Sequence, residues 1–367
     1  MSSSECASPP KPRSAVLRTK EYHPPLGERD GLRLDFNENT LECSPAVIEA
    51  LHKIQPGDLT RYPERGPVEA LVAQHLGVGP EQVLLTNGVD EAIHVLCQTY
   101  LDADDEMLLP VPTYSMYEVY ASSTDGRIVT VQADEDFRFP FERILNAITP
   151  RTKIIAIANP NSPTGSVASR EQMIRILESA PHAAVLIDEA YFHFYGKTVA
   201  DLVGQYPNLL IARTFSKAYG LAGLRLGLLA GHHDAVSWLR RVISPYSVNS
   251  LALACLPAAL KDTSYLDWYV AEVAAARDEL FSALASLNIR SWPSVANFVL
   301  AEVGAKHGAF AAAMKDRGVL VRDRSSDPGC DGCVRITVGT RQQMVEGIRA
   351  LESSLQAIDW KRSEGKA

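Results

Sequence analysis

The sequence predicts an α/β protein in which a large, mostly parallel sheet is buried and a smaller α/β unit follows it. Two observations carry that expectation. From residue 83 to about residue 230, short runs rich in Val, Ile and Leu alternate with longer helical stretches, and the runs are apolar at successive positions, as strands covered on both faces are. Beyond about residue 245 the texture changes to long alanine-rich helical stretches with single strands among them. The length of 367 residues, 46% of them hydrophobic and 22% charged, is enough for two or three domains with substantial cores.

In order, the chain first crosses in an extended run at 32–36, and a helix then opens with Ser44 as its cap and Pro45 in its first turn. A strand at 83–86 leads into a helix at 90–100, a strand at 106–109 into a helix at 114–122. Further strands fall at 127–131, 153–158, 183–188, 209–213 and 224–230, with a helix at 170–179 among them. The apolar run 251–260 is too short to span a bilayer and reads as a buried helix. The longest helix is expected at 263–287, with strands near 297–302 and 334–338. These changes divide the chain into an N-terminal segment, 1–45, that joins the small domain, a large domain at 46–255 and a small C-terminal domain at 256–367.

Composition excludes several classes of function. The formal charge of −8 comes without a run of Lys and Arg, so no footprint for nucleic acid is present. The first thirteen residues are polar and proline-rich, lack the apolar centre of a signal peptide and are expected to fray; a cytoplasmic protein with no membrane role follows. Six scattered cysteines make a disulfide framework improbable. Cys330-Asp331-Gly332-Cys333 has the spacing of a metal or redox pair, but a structural zinc wants a second pair, and Asp and Gly mark a turn. No metal is expected.

The chemistry concentrates at 214–227, where Lys217 stands among hydroxyls, small residues and an arginine. A lysine amine condenses with an aldehyde, while Thr214, Ser216 and the forked guanidinium of Arg225 suit a phosphate. An aldehyde that carries a phosphate is pyridoxal 5'-phosphate. Asp188 falls at the carboxyl end of an apolar strand, where open α/β sheets place ligand-binding groups and where a carboxylate would keep a pyridinium nitrogen protonated; a helix-capping aspartate is the plain alternative. Gly88, Val89 and Asp90 follow a strand and open a helix, presenting backbone amides to an anion, although the same pattern serves as an ordinary cap. In the run Val334-Arg335-Ile336-Thr337-Val338, alternation turns Arg335 and Thr337 away from the apolar row.

The stretch Ser216-Lys217-x-x-Gly220-Leu221-x-Gly223-x-Arg225-x-Gly227 resembles the lysine signature of class I/II aminotransferases. Asp35 to Thr40, Arg61 to Pro63, Gly88 to Ile93, Pro112 to Tyr117, Asn159 to Gly165, Asp188 to Tyr191 and Arg335 to Arg341 extend the resemblance over nearly the whole chain, toward the histidinol-phosphate branch. It implies pyridoxal-phosphate fold type I, a large domain around a seven-stranded sheet and a small domain assembled from both chain ends. It makes Lys217 the anchor and the proton-moving base, with Asp188 and Tyr191 serving the ring nitrogen and phenolic oxygen and Tyr114 stacking on the ring. The family loop Asn-Pro-x-x-Pro-Thr-Gly places an asparagine on that oxygen where this chain has Ser162; either Ser162 or Asn161 could supply the contact. Tyr62 would reach the phosphate of a neighbouring subunit, which implies a homodimer with shared sites. Arg335 would clamp the acidic end of the substrate and Arg322 a phosphate there, with Tyr22 and Asn39 also on the substrate.

The implied reaction moves an amino group between a small-molecule donor such as glutamate and imidazole-acetol phosphate, yielding histidinol phosphate. An aromatic amino acid aminotransferase and a phospho-amino-acid decarboxylase are the enzymatic alternatives. A cofactor-binding regulator is the non-enzymatic one, disfavoured by the lack of a DNA-binding domain or basic patch. A dehydrogenase is excluded because residues 86–90 do not supply Gly-x-Gly-x-x-Gly.

Overall fold

The computed structural model describes residues 10–24, 27 and 29–361; the first nine residues of the polar leader lie outside the described residues. Among the described residues twelve strands are formed, β1 Leu32–Leu34, β2 Val83–Thr86, β3 Glu106–Val111, β4 Arg127–Gln132, β5 Thr152–Ala158, β6 Ala184–Asp188, β7 Leu209–Thr214, β8 Gly227–Gly231, β9 Arg290–Ser291, β10 Phe298–Glu302, β11 Val319–Asp323 and β12 Cys333–Thr337. Seven of them make one sheet in the order β2-β8-β7-β6-β5-β3-β4. β8 runs antiparallel to both neighbours, β2 and β7, while the remaining pairs are parallel.

The unbroken apolar runs of this sheet have a direct cause. In β5 and β6, Ile155, Ile157, Val185 and Ile187 face one core. Ile154, Ala156, Ala184 and Leu186 face a second core on the other side. At the carboxyl ends of β6 and β7 the runs turn polar, at Asp188 and Thr214. The sheet therefore delivers its chemistry along one edge of buried strands.

The second sheet has the order β1-β11-β12-β10-β9. β1, from the start of the chain, pairs in parallel with β11, and β11 pairs antiparallel with β12. Helices Thr263–Ser286 and Arg341–Ala357 cover it, contributing Tyr269, Val273, Leu280, Met344 and Leu351 to a core shared with Leu34, Val299 and Ile336. Caps explain where several helices begin. Ser44 accepts from the Ala46 amide, and Ser169 accepts from the Gln172 amide while the Gln172 side chain returns a bond to the Ser169 amide.

Two expectations need correction. The strand expected at 224–230 starts only at Gly227, because Ala222–Leu224 forms a short 3-10 turn and Arg225 takes a left-handed conformation at φ 52°. The helix expected at 114–122 starts at Met116 and ends at Ser123. The helix Arg341–Ala357, capped by Thr340, and the strands β9 and β11 complete the smaller sheet without having been expected. Cys330 and Cys333 are buried free thiols that close a turn, the Cys333 amide donating to Cys330 O at 2.8 Å with Gly332 at φ 72°. No helix among the described residues is long and apolar enough to cross a membrane.

Candidate active site

A cavity of about 250 Å³ opens where β5, β6 and β7 end, between the N-terminus of helix Gly88–Tyr100 and the segment that follows β1. Of the residues singled out from sequence, Val89, Asp90, Tyr114, Ser162, Asp188, Tyr191, Thr214, Ser216, Lys217 and Arg225 line it.

Lys217 stands just beyond β7 on a tight return. The Ser216 amide donates to Thr214 Oγ1 at 3.1 Å, and the Leu221 amide donates to Phe215 O at 3.0 Å. These bonds hold the turn independently of the lysine side chain, whose Nζ donates to Phe36 O at 2.9 Å. Phe36 belongs to the segment leading out of β1, so a group of the smaller sheet reaches the lysine directly.

Asp188 is 4% exposed at the end of β6. Its Oδ2 accepts from the Tyr117 hydroxyl at 2.6 Å and its Oδ1 from the Ala190 amide at 3.0 Å. Burial pushes its carboxyl up to about 6, against the opposing pull of those two hydrogen bonds. Charge in so dry a site calls for a cation. Among the described residues no lysine, arginine or histidine is hydrogen-bonded to it. A pyridinium nitrogen would satisfy that carboxylate. The hydroxyl of Tyr191, on the same loop, accepts from Asn37 Nδ2 at 2.9 Å, and its ring meets Phe298 edge-on.

The opposite end of the cavity is built for an anion. Gly88 opens the helix at φ 76°, a conformation that favours glycine, and a Cβ there would lie 2.6 Å from Arg225 Nη2. A Cβ on Gly227 would likewise lie 2.7 Å from the Gly88 carbonyl carbon, so glycines let backbone, helix start and guanidinium converge. Arg225 Nη2 donates to Asp90 Oδ2 at 3.0 Å, and the Tyr114 hydroxyl donates to Asp90 Oδ1 at 2.7 Å. Burial raises the Tyr114 phenol above its ordinary range, with Asp90 adding to the effect, so it stays a proton donor. With Thr214 and Ser216 beside them, these groups suit a phosphate.

The remaining candidates lie around the cavity. Arg335 is buried behind its wall, donating from Nη1 to Ser162 Oγ at 2.9 Å and from Nη2 to Asp35 O at 2.6 Å. Its Nε has no partner among the described residues, and burial lowers its pKa to about 10, which leaves it charged at neutral pH. Ser162 borders the cavity and Asn161 does not, because the Asn161 amide is held the other way, donating to Pro112 O at 2.8 Å and accepting from Thr113 Oγ1 at 2.7 Å. Arg322 stacks over Phe36 at 5.3 Å and reaches the Tyr22 hydroxyl at 3.5 Å, outside the cavity lining. Asn39 is turned behind Lys217, donating to Ala218 O and to the Tyr265 hydroxyl. Tyr62 is 76% exposed and stacks on Tyr246 at 4.3 Å, away from the cavity of its own chain.

Tyr117, Phe36, Asn37 and Glu38 were not singled out by sequence. Tyr117 lies in the first turn of the helix Met116–Ser123, its amide bonded to Tyr114 O at 3.3 Å, and reads as core; Phe36 contributes a backbone carbonyl, which side-chain identity does not announce.

The family model of class I and II aminotransferases matches residues 29–351. A histidinol-phosphate aminotransferase of Moorella thermoacetica is 34% identical over 95% of this chain and 94% of its own length. One from Roseiflexus castenholzii is 37% identical over 87% of this chain and 90% of its own. Among solved structures, the Sinorhizobium meliloti histidinol-phosphate aminotransferase in complex with pyridoxal-5'-phosphate superposes with a TM-score of 0.85, covering 96% of this chain and 99% of that one at 23% identity, so the fold is shared. Matched by the family model through both sheets and by such relatives over nearly its whole length, the chain belongs to the class I and II aminotransferase family, the transaminases of pyridoxal-phosphate fold type I.

Proposed function

We propose that this chain is a pyridoxal-phosphate-dependent transaminase of histidine biosynthesis that moves an amino group between glutamate and imidazole-acetol phosphate, giving histidinol phosphate. One observation carries the reading: Lys217 and Asp188 face a single cavity from the ends of two adjacent strands, with an anion cradle across from them. When bound, the cofactor supplies an electron sink for the pair released at the substrate's Cα. Lys217 would anchor it and, when free, its amine would move the proton at the substrate's Cα. Asp188, held by Tyr117 and the Ala190 amide, keeps the ring nitrogen protonated. Arg225, Ser216, Thr214 and the amides at Gly88, Val89 and Asp90 hold the phosphate, and Tyr114 covers the ring. Ser162 and Tyr191 serve the phenolic oxygen.

For the substrate, Arg335 presents a guanidinium at the Ser162 wall, and Arg322 beside Phe36 adds positive charge for a phosphate, with Tyr22 in support; Asn39, its amide spent on Ala218 O and the Tyr265 hydroxyl, acts at most by shaping the turn behind Lys217. The names of the relatives favour the histidinol-phosphate pair over aromatic acceptors. A homodimer completes the site, the exposed Tyr62 of each subunit reaching the phosphate held by its partner. Borohydride reduction of freshly isolated protein, followed by digestion, should place a pyridoxyl adduct on the peptide with Lys217, and its absence there refutes the anchor. Imidazole-acetol phosphate should be aminated in strong preference to phenylpyruvate; the reverse preference overturns the substrate.

A further inference from the structure

Tyr191 has one donor and one acceptor function on its hydroxyl, and which way the proton points decides what the cavity can hold. Asn37 and Thr337 form a closed set of hydrogen bonds behind it. The Asn37 backbone N–H donates to Thr337 Oγ1 at 3.0 Å, Thr337 Oγ1 donates to Asn37 Oδ1 at 3.0 Å, and Asn37 Nδ2 donates to Tyr191 Oη at 2.9 Å. The first of these donors is a backbone amide and cannot reverse. Thr337 is 0% exposed, so its proton needs an acceptor inside the protein, and it is given to Asn37 Oδ1 at 3.0 Å. Turning the Asn37 amide over would put its NH2 against Thr337 and leave that proton buried without a partner, the costlier arrangement. The NH2 therefore faces Tyr191, which must accept.

We propose that Asn37 and Thr337 are positioning residues that fix the Tyr191 hydroxyl as a donor aimed into the cavity. With its lone pair engaged by Asn37, the phenol's proton is free only toward the open side, where Ser162, Lys217 and Asp188 also face. The choice of asparagine fits the task. Residue 37 sits at φ 55°, a left-handed conformation that asparagine tolerates better than most, and its side chain carries both the acceptor Thr337 needs and the donor Tyr191 needs. Asn297 Nδ2 donates to Asn37 O at 3.1 Å and holds the turn in place. The wall at Tyr191 is thus preset for an oxygen that accepts, such as an ionised phenolic oxygen, before any ligand arrives.

This inference rests on the pyridoxal-phosphate reading and assigns residues that act through Tyr191 without touching the reacting atoms. A fixed donor at an ionised oxygen favours its charged form and keeps the pH at which the holoenzyme's visible absorption titrates low. The other charged groups that face the cavity, Lys217, Asp188, Glu38, Asp90 and Arg225, are untouched by the substitutions used to test it.

The test is a spectroscopic pH titration of holoenzyme variants. Thr337→Val removes the hydroxyl that dictates the amide's orientation and should raise the titration midpoint by about one pH unit, whereas Thr337→Ser, which keeps the hydroxyl, should restore it. In a Tyr191→Phe background the Val substitution should add nothing, as a double-mutant cycle requires when one residue acts through the other. If Thr337→Val does not fold, Asn37→Gly keeps a backbone suited to the left-handed turn, removes the donor to Tyr191 and should shift the midpoint the same way. Variants that titrate with wild type, or a Val shift that persists without the Tyr191 hydroxyl, overturn the proposal while leaving the lysine-bound cofactor standing. A wild-type protein with no cofactor band overturns the reading beneath it and this inference together.

Discussion

Three side chains carry separable consequences. Lys217→Ala should abolish transamination while thermal unfolding of the cofactor-free protein stays near wild type, since the lysine's side chain bonds Phe36 O and the surrounding turn is held by backbone and Thr214. Asp188 shows the opposite trade. The folded protein holds its proton up to about pH 6, whereas the unfolded chain releases it near 3.8, so the buried charge opposes folding above pH 6 and ceases to oppose it as pH falls below 3.8. Cofactor-free Asp188→Asn should therefore be more stable than wild type at pH 8, by on the order of 2–3 kcal/mol, with the advantage vanishing toward pH 4. The same variant should bind cofactor weakly and turn over slowly, a comparison that denaturation at two pH values and a cofactor titration would settle. Arg335 donates from two nitrogens of one fork, to Ser162 and Asp35. Arg335→Lys cannot copy that geometry, and KM for a phosphorylated acceptor should rise about tenfold or more with a smaller change in kcat.

At the scale of elements, the decisive junction is where helix Gly88–Tyr100, β8 and the turn at Ala222–Leu224 meet. The unbroken apolar runs of the large sheet were legible because both faces of β5 and β6 are covered, so their composition alone marks them as strands. The start of β8 was not legible. Leu224 and Leu226 continue the same apolar texture, and only the left-handed Arg225, folded against Gly88 and Asp90, ends the turn there. Gly88→Ala should push the Arg225 guanidinium aside and cost about 1–3 kcal/mol in stability through backbone strain at φ 76°, with a larger loss of cofactor affinity read by fluorescence titration. The smaller sheet was only half legible for a related reason. β1 is three residues long and finds its parallel partner β11 almost three hundred positions away, a pairing that local pattern does not encode.

Taken as a whole, the molecule brings the segment 35–39 against the ends of the large sheet, where it supplies a carbonyl to Lys217, an amide to Tyr191 and a carbonyl to Arg335. In the proposed dimer each subunit also lends Tyr62. Mixing inactive Lys217→Ala with inactive Tyr62→Ala protein under conditions of subunit exchange should restore about a quarter of wild-type activity, because half the dimers are hybrids and each hybrid holds one intact site. No recovery after verified exchange would place Tyr62 outside the partner's site.

The sequence by itself determined the α/β class, the lysine and its hydroxyl-rich turn, the aspartate at a strand end and the family, since each of these is a matter of side-chain chemistry at short spacing. Tertiary structure alone decided that Ser162 rather than Asn161 borders the cavity, that Arg335 lies behind its wall, and that Tyr117, Phe36 and Asn37 are bonded to Asp188, Lys217 and Tyr191. The physical reason is that the direction of a side chain or carbonyl is set by hydrogen bonds to residues distant in the chain: within the large sheet's own loops for Asn161 and Tyr117, and across the junction of the two sheets for Arg335, Phe36 and Asn37.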